Sequence, residues 1–140
     1  MTIEELQAEV VEEFEVFDDW MDRYQYLIDL SKHLPIIDGQ YKTDQYLIKG
    51  CQSSVWLNAE LRDGKIHYSA DSDALITKGI VALLVRVLSG QTPKDIQAAD
   101  LHFIGDIGLK ENLSPTRSNG LVAMIKQMRI YALAFEHSKQ

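Results

Sequence analysis

One segment, residues 74–88, constrains the fold of this chain more than any other, because it is apolar nearly all round. Its apolar run is interrupted only by Thr77, Lys78, Gly79 and Arg86. The segment is shorter than the roughly 20 apolar residues that cross a bilayer, so a membrane span is not expected. A helix with apolar residues on every face has to be buried. The sequence therefore predicts a central buried helix that lies across a sheet.

The residues before this helix follow the two-residue period of β-strands. Apolar and polar side chains alternate over residues 55–61. Asp63-Gly64 is a strong hairpin signal, and a partner strand is expected at 65–70. A further short strand is expected at 46–48. The sheet should thus be a small antiparallel meander of three strands.

Helix signals occupy the rest of the chain. A capping box formed by Thr2 and Glu5 predicts a first helix that runs to about Phe17. The other helix starts are indicated by Asp18 and Asp19, by Asp71-Ser72-Asp73 before the central helix, by Thr92-Pro93 and by Ser114-Pro115. No internal repeat or long linker divides the sequence, so residues 1–140 are expected to form a single α+β domain.

The charge balance and the cysteine content exclude several classes of protein. The net charge is −7 and the cationic residues are scattered, so no binding to nucleic acid is expected. The acidic start of the chain lacks the basic and apolar regions of a secretory signal. A single cysteine cannot form an internal disulfide. We therefore expect a soluble, cytoplasmic protein with no membrane segment, whose thiol is reduced at rest.

That cysteine, Cys51, follows Gly50 in a turn between two apolar runs. A buried cysteine usually packs as a small hydrophobe, whereas a cysteine on a loop is a candidate nucleophile. The neighbouring Lys49 could favour the thiolate electrostatically. The residues alone leave both interpretations open, although the position in a turn favours a reactive thiol.

Other catalytic or metal sites have weaker support. A cysteine hydrolase needs a nearby base. The nearest histidine by topology is His67, which is better interpreted as a surface residue of its strand. The cysteine and the histidines lack the spacing of metal ligands, so no metal or cofactor is expected. Asp71 and Asp73 could form an acid pair, but helix capping explains them better.

Arg117 departs from a local rule, because the macrodipole disfavours a cation in the first turn of the last helix. Such a residue is a candidate for a role elsewhere in the fold, and a solvated surface position is the alternative. From the residues alone, the chain has one candidate reactive thiol without a catalytic base, metal set or cofactor motif. A thiol of this kind suits group transfer between proteins, in which the partner supplies the chemistry.

Three motifs carry a resemblance to a known family. They are Gly50-Cys51-Gln52-Ser53 with Val55-Trp56, Ala70-Asp71-Ser72-Asp73-Ala74 with Lys78-Gly79, and Leu113 to Leu121. In order and spacing they closely resemble the SufE family, the sulfur-acceptor proteins of iron–sulfur cluster assembly. Thr116-Arg117 stands where many relatives have Ser-Arg. The resemblance implies an α+β fold shared with IscU-type scaffold proteins.

The resemblance also implies a function. Cys51 would accept a sulfane sulfur from the persulfide of a SufS-type cysteine desulfurase, stimulate that enzyme and pass the sulfur to a SufBCD-type scaffold. Thiolate attack on a persulfide resembles thiol–disulfide exchange, which needs a thiolate and access more than a base. The alternative is a non-catalytic adaptor that binds the desulfurase and in which Cys51 is structural. The chain is expected to be a monomer or a homodimer.

By the same resemblance, five residues would support the cysteine loop or the partner surface: Gly50, Gln52, Ser53, Asp73 and Arg117. Asp73 would help to hold the loop near the start of the central helix, and Arg117 would lie near that loop or the partner. A free persulfide is easily oxidised or reduced. We therefore expect the cysteine sulfur to lie against an apolar hollow at rest and to swing out on docking.

Overall fold

The computed structural model describes residues 1–138, and two helices form its N-terminal part. Helix α1 spans Ile3–Glu15 and begins with the predicted capping box. Thr2 Oγ1 accepts from Glu5 N at 3.1 Å, and Glu5 Oε1 accepts from Thr2 N at 2.8 Å. Helix α2 spans Trp20–Leu30 and is capped by Asp19. These caps satisfy backbone N–H groups that a helix start leaves unpaired, so both predicted starts are confirmed.

The segment between α2 and the sheet contains three single turns of 3-10 helix, at Ser31–His33, Gly39–Tyr41 and Asp44–Tyr46. The strand predicted at 46–48 is not formed there. One isolated bridge links Leu47 to Trp56, and Ile48 N donates to Val55 O at 2.9 Å. The 3-10 turn before this bridge and the loop after it leave too few extended residues for a ladder. The sheet therefore has two strands over residues 1–138 rather than the three expected.

A long hairpin forms this two-stranded sheet. Strand β1 (Val55–Arg62) pairs antiparallel with β2 (Lys65–Ser72) along its whole length. The predicted turn joins them, with φ of 53° at Asp63 and 78° at Gly64, as a type I′ hairpin turn requires. Alternate side chains of β2 are buried. One face of the sheet therefore packs on the core, as the two-residue period predicted.

Helix α3 spans Leu75–Leu88 and is the predicted central buried helix, with ten buried residues. It packs against β2 and α2. At Gly79 the approach to α2 is so close that a Cβ would lie 2.3 Å from the carbonyl oxygen of Leu27. No side chain fits into that space, so glycine at this position sets the separation of α2 and α3.

The start of α3 differs from the prediction. Its N-cap residue is Ala74, and no side chain caps the helix. Ser72 Oγ accepts from Ala74 N at 3.3 Å, before the first helical residue. Asp71 accepts from Ser72 N, and Asp73 accepts from Ser54 N. Because these carboxylates bind backbone groups outside the helix, the prediction that they cap α3 was wrong.

Four helices complete the described chain: α4 (Pro93–Ala98), α5 (Phe103–Asp106), α6 (Leu109–Asn112) and α7 (Pro115–Ser138). Thr92 caps α4 by accepting from Asp95 N at 3.2 Å. Ser114 Oγ accepts from Arg117 N at 3.3 Å at the start of α7. Both predicted starts are confirmed. Within residues 1–138, the helices are all too short or too polar to cross a membrane.

A charged cluster ties the first three helices together. The Arg86 guanidinium of α3 donates to Glu13 at 2.8 Å and 2.5 Å and to Glu9 at 3.4 Å. The Tyr26 hydroxyl of α2 donates to Glu13 at 2.5 Å. Hydrogen bonds from Arg86 lower the pKa of Glu13, and burial with the bond to Glu13 raises the pKa of Tyr26 to about 12. Glu13 of α1 therefore bonds to both α2 and α3.

Candidate functional site

The lone cysteine lies on a loop, residues 49–54. This loop follows Leu47, which forms a bridge with Trp56, and leads into strand β1. Gly50, near the start of the loop, has a φ of 97°, a left-handed conformation that glycine adopts without strain. A Cβ at Gly50 would also lie 3.2 Å from Ala123 Cβ on α7. Both the turn and the close approach to α7 therefore require glycine at this position.

Ser54 anchors the other end of the loop to the junction of β2 and α3. Its backbone N–H donates to Asp73 Oδ1 at 3.1 Å. Its carbonyl oxygen accepts from Asp73 N at 3.3 Å and from Ser72 Oγ at 2.8 Å. Asp73 therefore contributes two of the three hydrogen bonds that hold this end of the loop.

Cys51 is half-buried and lines a cavity of about 80 Å³. The other walls come from the loop, from α3 and from α7, and include Gln52, Ser53, Thr77, Ile80, Gly120 and Met124. Two of these walls are apolar side chains, whereas several carry hydroxyl or amide groups. The sulfur is thus partly shielded from solvent, as expected, but the cavity is mixed in character rather than the apolar hollow that was expected.

The resting cysteine is a neutral thiol bound to α7. Its S–H donates to the carbonyl oxygen of Gly120, 3.6 Å away. Burial raises the pKa of the Cys51 thiol above its usual value. Lys49 is exposed, and burial is the sole resolved cause of the shift. The expected electrostatic help from Lys49 is therefore not found.

Arg117 lines the same cavity and is held by a tyrosine of α2. Its guanidinium donates to the Tyr24 hydroxyl on α2 and lies 5.9 Å from the centroid of the Tyr24 ring. A cation over an aromatic face is stabilised by the ring quadrupole. This contact offsets the unfavourable position of Arg117 in the first turn of α7 and holds its charge near Cys51.

Asp71 does not form an acid pair with Asp73. Its carboxylate lies 3.0 Å from Lys42 Nζ and 3.1 Å from Lys78 Nζ. Burial acts to raise the pKa of Asp71, but hydrogen bonds from Lys42, Ser72 N and Lys78 outweigh it, so that this pKa lies below its ordinary value. The Asp71 carboxylate is therefore an ionised structural group.

No histidine of the described chain lines the cysteine cavity. His67 pairs with Glu60, five register positions from the loop end of β1. His102 lies between Glu4 and Asp106, which bind its two ring nitrogens. Residues 1–138 also contain no group of three side chains suited to a metal ion. Among the described residues, the site thus presents a thiol without a neighbouring histidine.

The expected site residues did not include five that line the cavity, Thr77, Ile80, Thr116, Gly120 and Met124, or Tyr24, which contacts Arg117. Thr77 is one of the few polar residues in the apolar segment 74–88, and Gly120 is a glycine inside the last helix; both irregularities are visible in the sequence. Tyr24 gives no such signal, because it lies 93 residues from Arg117. Their common location depends on how α2, α3 and α7 pack together.

The fold and the site together define a small α+β domain that carries a lone thiol on a loop anchored at both ends. A family model described as SufE, Fe-S metabolism associated domain, matches residues 8–132. The chain therefore belongs to the SufE family. Membership of this family connects it with iron–sulfur metabolism.

Relatives from several organisms match most of the chain. A SufE-like protein of Rhizobium etli is 38% identical over 86% of this chain and 85% of its own length. A SufE-like protein of Synechocystis is 39% identical over 92% of this chain and 81% of its own length. The SufE-like protein 1, chloroplastic/mitochondrial, of Arabidopsis thaliana is 38% identical over 96% of this chain but only 37% of its own, longer sequence.

The fold is also found in a solved structure. The solution structure of a hypothetical protein from Thermus thermophilus matches with a TM-score of 0.78. The match covers 95% of this chain and 97% of that one, at 21% sequence identity. At this identity the likeness supports the α+β fold alone.

Proposed function

We propose that this protein is a sulfur carrier for iron–sulfur cluster assembly. Cys51 accepts the terminal sulfur of the persulfide on a SufS-type cysteine desulfurase, the chain stimulates that enzyme, and the sulfur then passes to a SufBCD-type scaffold. The observation that carries the proposal is a lone thiol on an anchored loop beside a cavity of about 80 Å³, which has room for one more sulfur atom. In this proposal the chain acts in the cytoplasm as a monomer or a homodimer.

The chemistry of such a transfer needs a thiolate and access rather than a base. The Cys51 thiolate attacks the terminal sulfur of the partner's persulfide. The partner's S–S bond breaks, and its electron pair stays on the partner's cysteine sulfur, which leaves as a thiolate. A new S–S bond joins the transferred sulfur to Cys51, so no external oxidant or reductant is needed. The proton of the Cys51 thiol is released to solvent before the attack.

The resting site has to open before this attack can occur. The raised pKa of Cys51 keeps the thiol protonated, and the hydrogen bond to Gly120 holds it against α7. Docking on the desulfurase moves loop 49–54 outward, between Gly50 at one end and the Ser54 anchor at the other. Arg117, which is exposed at the edge of the cavity, then faces the partner surface.

Mass spectrometry of the intact chain tests the proposal directly. The chain is incubated with a cysteine desulfurase and cysteine, and free thiols and persulfides are trapped by alkylation. Because Cys51 is the only cysteine, an added sulfur atom on an alkylated thiol belongs to this residue. We expect one added sulfur on the parent and none on Cys51→Ser, together with loss of stimulation of desulfurase turnover by Cys51→Ser.

A second function, a docking adaptor in which the cysteine is structural, is also consistent with the geometry. A half-buried thiol bonded to a backbone carbonyl is what a packing cysteine shows as well. The adaptor would stimulate the desulfurase by binding alone. Full stimulation by Cys51→Ser, with no sulfur found on the parent chain, would support the adaptor and contradict the carrier.

A further inference from the structure

Thr77 is a buried polar residue whose hydroxyl has no structural partner. Only 7% of the residue is exposed, and it lines the cavity that also contains Cys51. Within the part of the chain that the structure describes, no hydrogen bond engages its hydroxyl. Its hydroxyl oxygen is not fully enclosed by protein and stays accessible to a small ligand or to water. A residue in this state is suited to a ligand that is not always present.

The position of Thr77 in its helix favours an anionic ligand. It is the third residue of α3, the helix that begins at Leu75 without a side-chain cap. Unpaired N–H groups and the positive end of the macrodipole therefore lie at the same end of the helix as this hydroxyl. A free donor that lines the cavity and a helix N-terminus therefore lie at the same end of α3.

Addition of sulfur to Cys51 creates an anion that this cavity must accommodate. In the thiol state, the S–H group donates to the Gly120 carbonyl oxygen, which lies 3.6 Å from Sγ. In a persulfide, Sγ carries a second sulfur instead of that proton, so the bond to Gly120 is lost. Persulfides are more acidic than thiols, and the terminal sulfur therefore becomes the negatively charged atom. It needs a new hydrogen-bond donor.

Among the polar side chains that line the cavity, that of Thr77 belongs to a buried residue, whereas the others belong to exposed or half-exposed residues. The Arg117 guanidinium donates to Tyr24, and Arg117 and Thr116 are both exposed, so water competes for their remaining donors. Gln52 is exposed and Ser53 is half-exposed, so water can satisfy both. The apolar side chains of Ile80 and Met124 form other walls, and they strengthen a hydrogen bond to an anion by excluding water.

We propose that the Thr77 hydroxyl binds the terminal sulfur of a Cys51 persulfide inside this cavity, with the N-terminus of α3 stabilising the negative charge. The inference rests on the proposed function in that a persulfide is the ligand, and it names the residue that binds the transferred atom. The site then distinguishes two states. The thiol bonds to α7 through Gly120, and the persulfide bonds to α3 through Thr77.

Chemical loading tests this assignment without a desulfurase. The full chain is treated with inorganic polysulfide, from which the Cys51 thiolate takes one sulfur as a shorter polysulfide leaves, and mass spectrometry verifies a single added sulfur. The rate of alkylation by iodoacetamide is then measured against pH for the thiol form and the persulfide form. The variants are Thr77→Val, which keeps the branched shape but lacks the hydroxyl, and Thr77→Ser, which keeps the hydroxyl.

We expect Thr77→Val to move the persulfide profile to higher pH. Loss of one charge-assisted hydrogen bond should lower the fraction of persulfide anion about tenfold on the acidic side of the profile. The rate of alkylation should fall by the same factor, because the anion is the reacting form. The thiol profile of Thr77→Val should match the parent, because the thiol proton bonds to Gly120, and Thr77→Ser should follow the parent in both forms. Thermal melts establish that both variants are folded.

Three results would overturn the assignment: an unchanged persulfide profile in Thr77→Val, an equal shift of the thiol and persulfide profiles, or failure of the folded parent to take up sulfur from polysulfide. A parent chain that loads from polysulfide but not from a desulfurase would contradict the proposed function alone. The two proposals can therefore fail separately.

Discussion

The sulfur of Cys51 and the carbonyl oxygen of Gly120 lie 3.6 Å apart, although 69 residues separate them in the chain. This hydrogen bond joins loop 49–54 to helix α7. Its donor is the thiol proton, which is absent from both a thiolate and a persulfide. The attachment of the loop to α7 therefore depends on the chemical state of the sulfur, and this dependence motivates the first prediction.

Two substitutions of Gly120 should have different effects, one on the stability of helix α7 and the other on the position of loop 49–54. Gly120→Ala places a Cβ 3.6 Å from Cys51 Sγ, an ordinary contact. Because alanine is a better helix former, the free energy of unfolding should rise by up to about 1 kcal/mol, with the alkylation rate of Cys51 unchanged. Gly120→Val should push the loop outward and make alkylation faster. Equal alkylation rates in both variants would show that the loop does not rest on this position.

Asp73 should control how often the loop opens. Asp73→Ala removes the acceptor of Ser54 N at 3.1 Å, which should lower the free energy of unfolding by about 1 kcal/mol and speed both alkylation of Cys51 and amide exchange at Ser54. Asp73→Asn keeps an acceptor oxygen and is the matched control. We expect it to retain most of the protection. If it behaves like Asp73→Ala, the charge of Asp73 rather than its hydrogen bond holds the loop.

His102 should give the fold a weak dependence on pH. Hydrogen bonds to Asp106 and Glu4 raise the pKa of His102 above its ordinary value of 6.5. Protonated His102 is thus favoured in the folded state. Its contribution is fully present below about pH 6.5, the unfolded value, and is lost as the pH rises through the folded pKa. Urea unfolding of the parent and of His102→Gln between about pH 5 and 8 measures this contribution.

His102 and its partners Glu4 and Asp106 are exposed. The free energy of unfolding of parent and His102→Gln should therefore differ by no more than about 0.5 kcal/mol at the acidic end of this pH range. It should vanish at the alkaline end and shrink in high salt, which screens exposed charges. A difference that is constant across this pH range would mean that the imidazole contributes through packing rather than through its charge.

Gly79 should tolerate no side chain. A Cβ there would lie 2.3 Å from the Leu27 carbonyl oxygen and 2.9 Å from Leu27 Cγ, so α2 and α3 would have to separate. We expect Gly79→Ala to lower the free energy of unfolding by about 3 kcal/mol in a denaturant melt. Gly105→Ala is the control, because nothing lies within 4 Å of its Cβ. A mild effect at Gly79 would show that the two helices can move apart easily.

Local sequence signals predicted most of the elements correctly, because the forces behind them act between near neighbours. The capping box of Thr2 and Glu5 acts over three residues. The turn at Asp63-Gly64 needs positive φ at two adjacent positions, and Gly64 supplies one without strain. The apolar surface of residues 74–88 required burial wherever the helix lay. The lone cysteine in a glycine-marked turn was visible for the same reason.

Features that depend on groups far apart in the chain follow only from its packing in the folded state. The strand expected at 46–48 has the right composition, but it forms one bridge because a 3-10 turn ends at Tyr46. Asp73 looked like a helix cap, yet it binds Ser54, a residue of the cysteine loop. A carboxylate next to a helix start has several possible donors, and the packing of the loop selects among them.

Cys51 likewise has some properties that are visible in the local sequence and others that depend on tertiary packing. The residues alone establish that there is one thiol, that it follows Gly50 in a predicted turn, and that the cysteine and histidines lack the spacing of metal ligands. They do not establish the pKa of that thiol, which is raised by burial rather than lowered by Lys49. Desolvation is a property of everything that surrounds an atom. For Cys51 those surroundings are built from α3 and α7, which meet around the sulfur only when the chain folds.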